Sequence, residues 1–372
     1  DSYNFGDQNF NTNVGGWGEQ TFGNPNLTWE KAKKTNIGLD VSVLKHKLEL
    51  SVDFFQENRY DIITSLSGDD KLGFPSMVGR DAPYVNSGRV KNHGIDLELT
   101  MRGNVGRDFN WMVRPNFTYA KNKVIYENEI PRKYEWRQET GHELYLNYLY
   151  VFDHFVKDQA EADKLNAEKY QPWGTLIPGD VVYKDLNGDG KITDLGDRKR
   201  MGYPRSPEIQ FGLPFTFEYK NFDLSFLFQG ATHTSIELTD AAVWDFPSYD
   251  QDKIGSVRPL HLKRWTVETA DEAKYPALSI GANPNNKNSL SSLFLYNARY
   301  IRLKNVELGY SMPNEIIRRI GLSRVRFYAQ GQNLATYAPG LKDVDVDPEL
   351  GSSNGYQYPI LRILNFGVDI TF

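Results

Sequence analysis

Long runs of strict apolar–polar alternation constrain this chain more than any other feature. Ile95, Leu97, Leu99 and Met101 interleave with Gly94, Asp96, Glu98, Thr100 and Arg102. Leu48, Leu50, Val52 and Phe54 interleave with Glu49, Ser51 and Asp53. Phe211, Leu213, Phe215, Phe217 and Tyr219 make one apolar face, and Phe222, Leu224, Phe226 and Phe228 make another. Phe366, Val368, Ile370 and Phe372 repeat the pattern at the end. A period of two places one apolar and one polar face on an extended strand. The pattern predicts nine strands, at 35–44, 46–59, 93–103, 109–123, 207–219, 222–231, 298–311, 323–333 and 359–372. At Lys304-Asn305 the phase slips, which reads as a β-bulge. Most of these strands exceed the globular mode of about 5 to 6 residues. They match the roughly 9 to 11 residues that a tilted strand needs to cross a bilayer.

The connections alternate in length. Leu44–His46, Gly103–Arg107, Lys220-Asn221 and residues 312–322 are short; residues 60–92, 124–206, 232–297 and 334–358 are long. Short turns on one side and long loops on the other characterise outer-membrane barrels. Structureless loops above about 15 residues are uncommon in compact soluble domains. The reading is therefore all-β, part of an antiparallel transmembrane β-barrel with long extracellular loops. A soluble all-β protein with decorated loops stays open as the alternative. Barrels of this class close with an even strand number, and an open edge in lipid leaves backbone groups unsatisfied. The odd count predicts that further strands precede these residues, and that the piece is not stable alone.

Composition narrows the function classes. No run of about 18 apolar residues occurs, so no transmembrane helix is expected, and this leaves a barrel untouched. The net charge of −5 argues against a general nucleic-acid binder. The absence of Cys removes disulfides and thiolate sites. Aromatics reach 13% of the residues, which favours strands. The histidines, at 46, 93, 142, 154, 233 and 261, show no metal spacing. No nucleophile elbow, phosphate loop or Gly-x-Gly-x-x-Gly appears, so catalysis finds no support.

One segment carries chemical content by itself. Asp185-Leu-Asn187-Gly-Asp189-Gly190-Lys191-Ile192 has oxygen ligands at positions one, three and five and Gly at six, like the start of a calcium loop. Lys191 would offer its backbone carbonyl. The twelfth position is Gly196, where such loops carry a bidentate acid; Asp197 comes one place late and Asp194 falls at the tenth. The segment reads either as a Ca2+ or Mg2+ site held by Asp185, Asn187, Asp189, Lys191 and Asp197, or as an acidic Asx-turn loop without metal. Either way its role is to brace the long loop at 124–206.

That loop also carries Tyr126, Tyr134, Trp136, Tyr145, Tyr148, Tyr150, Tyr170 and Trp173, and the next holds Trp244, Phe246, Tyr249 and Trp265. Such rings stack on sugars or anchor protein interfaces, but self-packing of the loop is the commoner use. Trp111, Tyr119 and Tyr310 sit at strand ends, as interfacial girdle residues do. Residues 157–168 read as a short charged helix with a solvated face, and Pro313-Asn314-Glu315 starts a helical turn that ends near Gly321.

Several stretches, in order, resemble the C-terminal half of the SusC-like TonB-dependent outer-membrane transporters of Bacteroidota. They are Asn24-Pro25-Asn26-Leu27-Thr28-Trp29-Glu30 with Asn36-Ile37-Gly38-Leu39-Asp40, then Asn92-His93-Gly94-Ile95-Asp96-Leu97-Glu98-Leu99. Gly179-Asp180-Val181-Val182-Tyr183-Lys184-Asp185-Leu186-Asn187-Gly188-Asp189-Gly190 and Gly202-Tyr203-Pro204-Arg205-Ser206-Pro207-Glu208 follow. Tyr300-Ile301-Arg302-Leu303-Lys304-Asn305 and Gln330-Gly331-Gln332-Asn333-Leu334 complete the set. The resemblance implies that residues 1–372 supply about the last nine strands of a barrel of about 22 strands. The plug, the TonB box and the earlier strands would lie elsewhere, in the remaining N-terminal portion of the same barrel. It further implies a SusD-like surface lipoprotein as a lid, and TonB-dependent import of oligosaccharides or oligopeptides. By the same resemblance Phe372 would be the assembly signal read by the barrel-insertion machinery. A passive barrel or adhesin, and a secreted carbohydrate-binding β protein, remain the rival readings.

Overall fold

The computed structural model describes residues 2–4, 13–15, 21–67, 71, 80–246, 257–350 and 354–372. Ten strands form its main sheet: β1 (Lys31–Val43), β2 (Leu48–Ser65), β3 (Tyr84–Val105), β4 (Phe109–Val113), β5 (Asn116–Tyr126), β6 (Ile209–Tyr219), β7 (Phe222–Thr232), β8 (Tyr300–Ser311), β9 (Arg324–Tyr337) and β10 (Ile363–Thr371). Their order is β10-β9-β8-β7-β6-β4-β3-β2-β1, with β5 also pairing β6 and β3. Strands adjacent in sequence are therefore adjacent in space, except β4 and β5, which each pair β3 and β6. The pairings β6–β7, β7–β8, β8–β9, β9–β10 and β3–β4 are all antiparallel.

The alternation sets the two faces. Phe215 of β6 stacks on Phe226 of β7, with ring centroids 4.8 Å apart. The opposite face carries charge. There Arg326 of β9 donates to Asp223 of β7 at 3.0 Å and to Glu307 of β8 at 2.6 Å, and Asp369 of β10 lies 3.7 Å away. The apolar face is not covered: Ile37 is 69% exposed, Phe54 58% and Phe366 82%. The soluble sandwich reading requires those faces to meet in a core, so the structure removes it. Among the described residues the buried apolar side chains lie mainly in the connections, at residues 149–192, 236–298 and 341–346.

The tight turns follow from local chemistry. Leu44, Lys45 and His46 join β1 to β2 in the left-handed region. Gly106 takes φ +65 between β3 and β4, and Lys220 takes φ +53 between β6 and β7. The connection from β8 to β9 holds a short helix, α2 (Asn314–Ile317), closed by Gly321 at φ +75. The register shifts between Leu303 and Asn305, so Lys304 is the bulged residue that the phase slip predicts.

Several strand boundaries differ from the sequence reading: β1 begins at Lys31 and not at residue 35, β2 runs on to Ser65 and not 59, and β9 to Tyr337 and not 333. The strand expected at 109–123 is two, β4 and β5, separated by Arg114-Pro115. Pro115 has no N–H for a ladder. Its carbonyl accepts from Leu99, while the Arg114 N–H turns to Pro214 at 3.1 Å. β3 begins at Tyr84, not at residue 93, and β10 begins at Ile363, beyond Pro359.

The chain divides into two compact units. Asp1–Thr35, Gln56–Asn92 and Asn122–Leu144 form one; Asn36–Phe55, His93–Lys121 and Tyr145–Phe372 form the other.

Candidate binding platform in the loops

The long connections of the second unit fold on themselves. Tyr150, Val181, Tyr183 and Ile192 form one buried cluster, with Trp173 packed edge-on against both tyrosine rings. Ile236, Leu238, Val243, Leu260, Tyr275 and Phe294 form a second, joined by Leu341, Val344 and Val346 from the loop after β9. Leu293 packs against both clusters. Tyr150 and Tyr183 exchange water for apolar contact, and burial pushes the Tyr150 phenol up to about 12.

Buried polar groups fasten these segments. Asp180 is 1% exposed and accepts from the Ile177 N–H and from the side-chain amides of Asn283 and Asn286. Burial with no cation beside it raises its carboxyl above the ordinary range. Gln171 donates to Val181 and to Asn285, and accepts from the Tyr183 N–H. Asp245, also 1% exposed, accepts from the Tyr275 hydroxyl and the Ser279 N–H, with Lys287 at 3.4 Å. A buried hydrogen-bond network of this kind rigidifies what it joins.

The predicted helix is present as α1 (Gln159–Ala167). Asp158 caps it by accepting from the Glu161 N–H, and Glu161 accepts in return from the Lys157 N–H. It keeps the solvated face that the sequence suggests and buries the other. Ala162 is fully buried against Val156, Leu176 and Val182, with Leu165 beside them.

The acidic loop closes through its own amides. Asp185 accepts from the Gly188 and Gly190 N–H groups, Asn187 from Asp189, and Asp189 from Lys191. Asp197 is fully buried and accepts from the Leu186 N–H, the Thr193 N–H and the Thr193 hydroxyl. It therefore clamps the loop from inside, apart from the exposed turn. Among the described residues no group of three or more His, Cys, Asp or Glu is disposed to hold a metal. Phe372 lies just past β10 and is 90% exposed.

The aromatic loop residues divide by use. Trp173, Tyr170, Trp265 and Trp244 are consumed by packing. Tyr145 stands 86% exposed. Tyr249 lies outside the described residues. In the first unit Tyr134 stacks on Trp136 at 4.8 Å. Asn128 there donates to Ser87 and Thr64, and Glu129 accepts from the Glu139 and Thr140 N–H groups. Sequence reasoning missed Asp180, Asp245 and Asn286. Their signal is present as Asp and Asn within apolar or Asn-rich loop segments, but the partners lie far along the chain, 106 residues apart for Asp180 and Asn286 and 30 for Asp245 and Tyr275.

A sheet of long antiparallel strands, bare on its apolar face, with buried cores in its long connections, defines an outer-membrane β-barrel protein. Residues 2–334 match the family model described as TonB dependent receptor-like, beta-barrel, and the chain belongs to that family. Within it the chain is similar to proteins named TonB-dependent receptor, SusC among them. It is 27% identical over 94% of its length to TonB-dependent receptor P3 of Formosa agariphila, and spans 35% of that protein. It is 26% identical over its whole length to TonB-dependent receptor SusC of Bacteroides thetaiotaomicron, and spans 34% of it. The chain thus covers about a third of the curated relatives it matches. The RagAB peptide transporter structure superposes on all of this chain with a TM-score of 0.69 at 20% identity, over 38% of that structure's chain. The 'open-open' state of the RagAB peptide importer gives 0.70 at 21% identity, over 37%.

Proposed function

We propose that the whole protein imports a large nutrient across the outer membrane, driven by TonB, with a SusD-like surface lipoprotein closing over the outer loops. Residues 1–372 would be the C-terminal part of its barrel, following a plug and earlier strands. The observation that carries this reading is the loop platform. Its two cores and buried Asp180 and Asp245 networks preorganise a wall, and a rigid wall binds a ligand or partner without the cost of ordering loops. Exposed Tyr145 offers a π face to an oligosaccharide or oligopeptide. Likeness to SusC, and to a structure described as a peptide importer, supports the class and leaves both substrates in view. Transport of this kind needs no covalent chemistry from these residues. Phe372 would serve as the assembly signal.

Co-purification of the full-length protein in mild detergent tests the reading. Recovery of a surface lipoprotein with it, and TonB-dependent uptake of a labelled oligosaccharide or oligopeptide by cells, are the expected results. Uptake that survives loss of TonB would make the barrel passive. A divalent ion in the acidic loop would rest on Asp185, Asn187, Asp189 and the Lys191 carbonyl and brace the loop, with no part in transport chemistry. Equilibrium dialysis with Ca2+ against Asp185→Asn decides it.

A further inference from the structure

We propose that Arg302 and Glu349 form a latch that ties the loop after β9 to the wall of the sheet. The inference concerns that loop alone and stands whether or not the whole protein imports anything.

Arg302 lies in β8 on the polar face, opposite Gln229 of β7 and Thr336 of β9. Its side chain is 1% exposed. A buried guanidinium must place its donors or suffer a large desolvation penalty. Here Nε donates to the Thr336 hydroxyl at 2.9 Å, Nη2 to Asp347 at 2.5 Å, and Nη1 to Glu349. Glu349 collects more than this one cation. The Tyr300 hydroxyl donates to it at 2.8 Å, the Gln229 amide at 3.2 Å, and Lys304 stands at 3.3 Å. One loop carboxylate is thus held by residues of β7 and β8, and through Arg302 it is linked to β9. Asp347 also accepts from the Glu349 N–H at 2.9 Å, which sets the two acids side by side.

The other side of the same loop is apolar. Leu341, Val344 and Val346 are buried in the core built around Tyr275 and Phe294, and Asp343 pairs with Lys263 at 2.7 Å. The loop is therefore a strap with two unlike attachments. Its apolar side belongs to the loop platform, and its acidic side belongs to the strands. The apolar attachment is spread over many contacts and tolerates sliding. The ionic one is focused on a single buried cation and is made or lost as a unit. Release at Arg302 leaves the strap held by its apolar side alone, so the strap as a whole opens more readily.

The strap carries its own reporter. Lys342 is exposed and sits within the apolar side of the strap, between Leu341 and Val344. Trypsin cuts a folded loop only after local opening, so its rate after Lys342 reads the latch. Lys164, in α1, serves as an internal reference. The test uses the full-length protein in detergent, as wild type, Arg302→Met, Glu349→Gln and the double variant. The expected result is cleavage after Lys342 about tenfold faster in each single variant, no faster in the double than in Arg302→Met, and unchanged after Lys164. Unchanged cleavage after Lys342, or effects that multiply in the double variant, overturns the latch. Should Arg302→Met fail to reach the membrane, Asp347→Asn with Glu349→Gln carries the same test, because both acids lie on the loop. Uptake is not read in this experiment, so failure of the latch and failure of the import reading remain distinct.

Discussion

Asp180 accepts a hydrogen bond from the side-chain amide of Asn286 at 2.9 Å, across 106 residues of sequence, with both side chains almost wholly buried. Asn286 also accepts from the Val181 N–H through its own oxygen. One amide therefore satisfies a carboxylate and a backbone donor in the same dry place. Asn286→Leu leaves both unpartnered by it. The expected cost is about 2 kcal/mol of local stability, read as faster amide hydrogen exchange across residues 171–183. Exchange in β9 serves as the unaffected reference.

His261 predicts a pH response of the same platform. It is 1% exposed, accepts from the Arg258 N–H at Nδ1 and donates from Nε2 to the Val243 carbonyl. That pair of bonds requires the neutral ring. Burial, aided by Arg258 and Lys287, holds its pKa below the ordinary value of 6.5. The unfolded segment then takes up its proton before the folded one does, so this contribution to stability is present above about pH 6.5 and is lost as pH falls below it. Protection from hydrogen exchange around residues 258–275, taken relative to the intrinsic rate at each pH, should fall on acidification through that range. In His261→Gln the pH dependence should flatten. An equal response in both proteins would remove His261 as its source.

How much of this was legible in the sequence follows from range. β6, β7 and the Lys304 bulge were readable because alternation is local and each face meets one environment. β3 was read short because Tyr84 to Lys91 has no apolar alternation. Pro115 lies inside an otherwise continuous alternating pattern, which masks the break it makes. Ala162 gave no sign of burial, since a small residue on a charged helix looks solvated until its neighbours are known. Arg302 lies within a motif, yet its partners Asp347 and Glu349 sit in a loop without periodicity.

The acidic loop yields a contrast between two aspartates. Asp197 is fully buried and holds three donors, two of them backbone amides. Asp185 closes an exposed turn that water can also satisfy. Asp197→Ala should therefore loosen residues 186–197 by about 2 to 3 kcal/mol, and Asp185→Ala by about 1 or less. Limited proteolysis after Lys191, without added metal, measures both. A larger effect at Asp185 would mean that the turn, and not the buried clamp, organises the segment.

Gly230 tests the sheet itself. It lies in β7, opposite Phe211 of β6 and Ile301 of β8. A Cβ placed there would meet the Phe211 ring and would stand 2.6 Å from the Tyr300 carbonyl oxygen. The ring could rotate away, but the carbonyl belongs to the β7–β8 ladder and cannot move without breaking pairs. Gly230→Ala is thus expected to weaken pairing at this end of both strands, and in lipid each lost pair leaves groups that water cannot satisfy. The measurable result is a lower yield of folded, heat-modifiable barrel in outer-membrane fractions. The same change at Gly106 is a matched control for backbone strain, since its φ is +65 and a Cβ there meets nothing within 4 Å. If Gly230→Ala assembles as well as wild type while Gly106→Ala does not, turn conformation outweighs ladder space in setting assembly of this sheet.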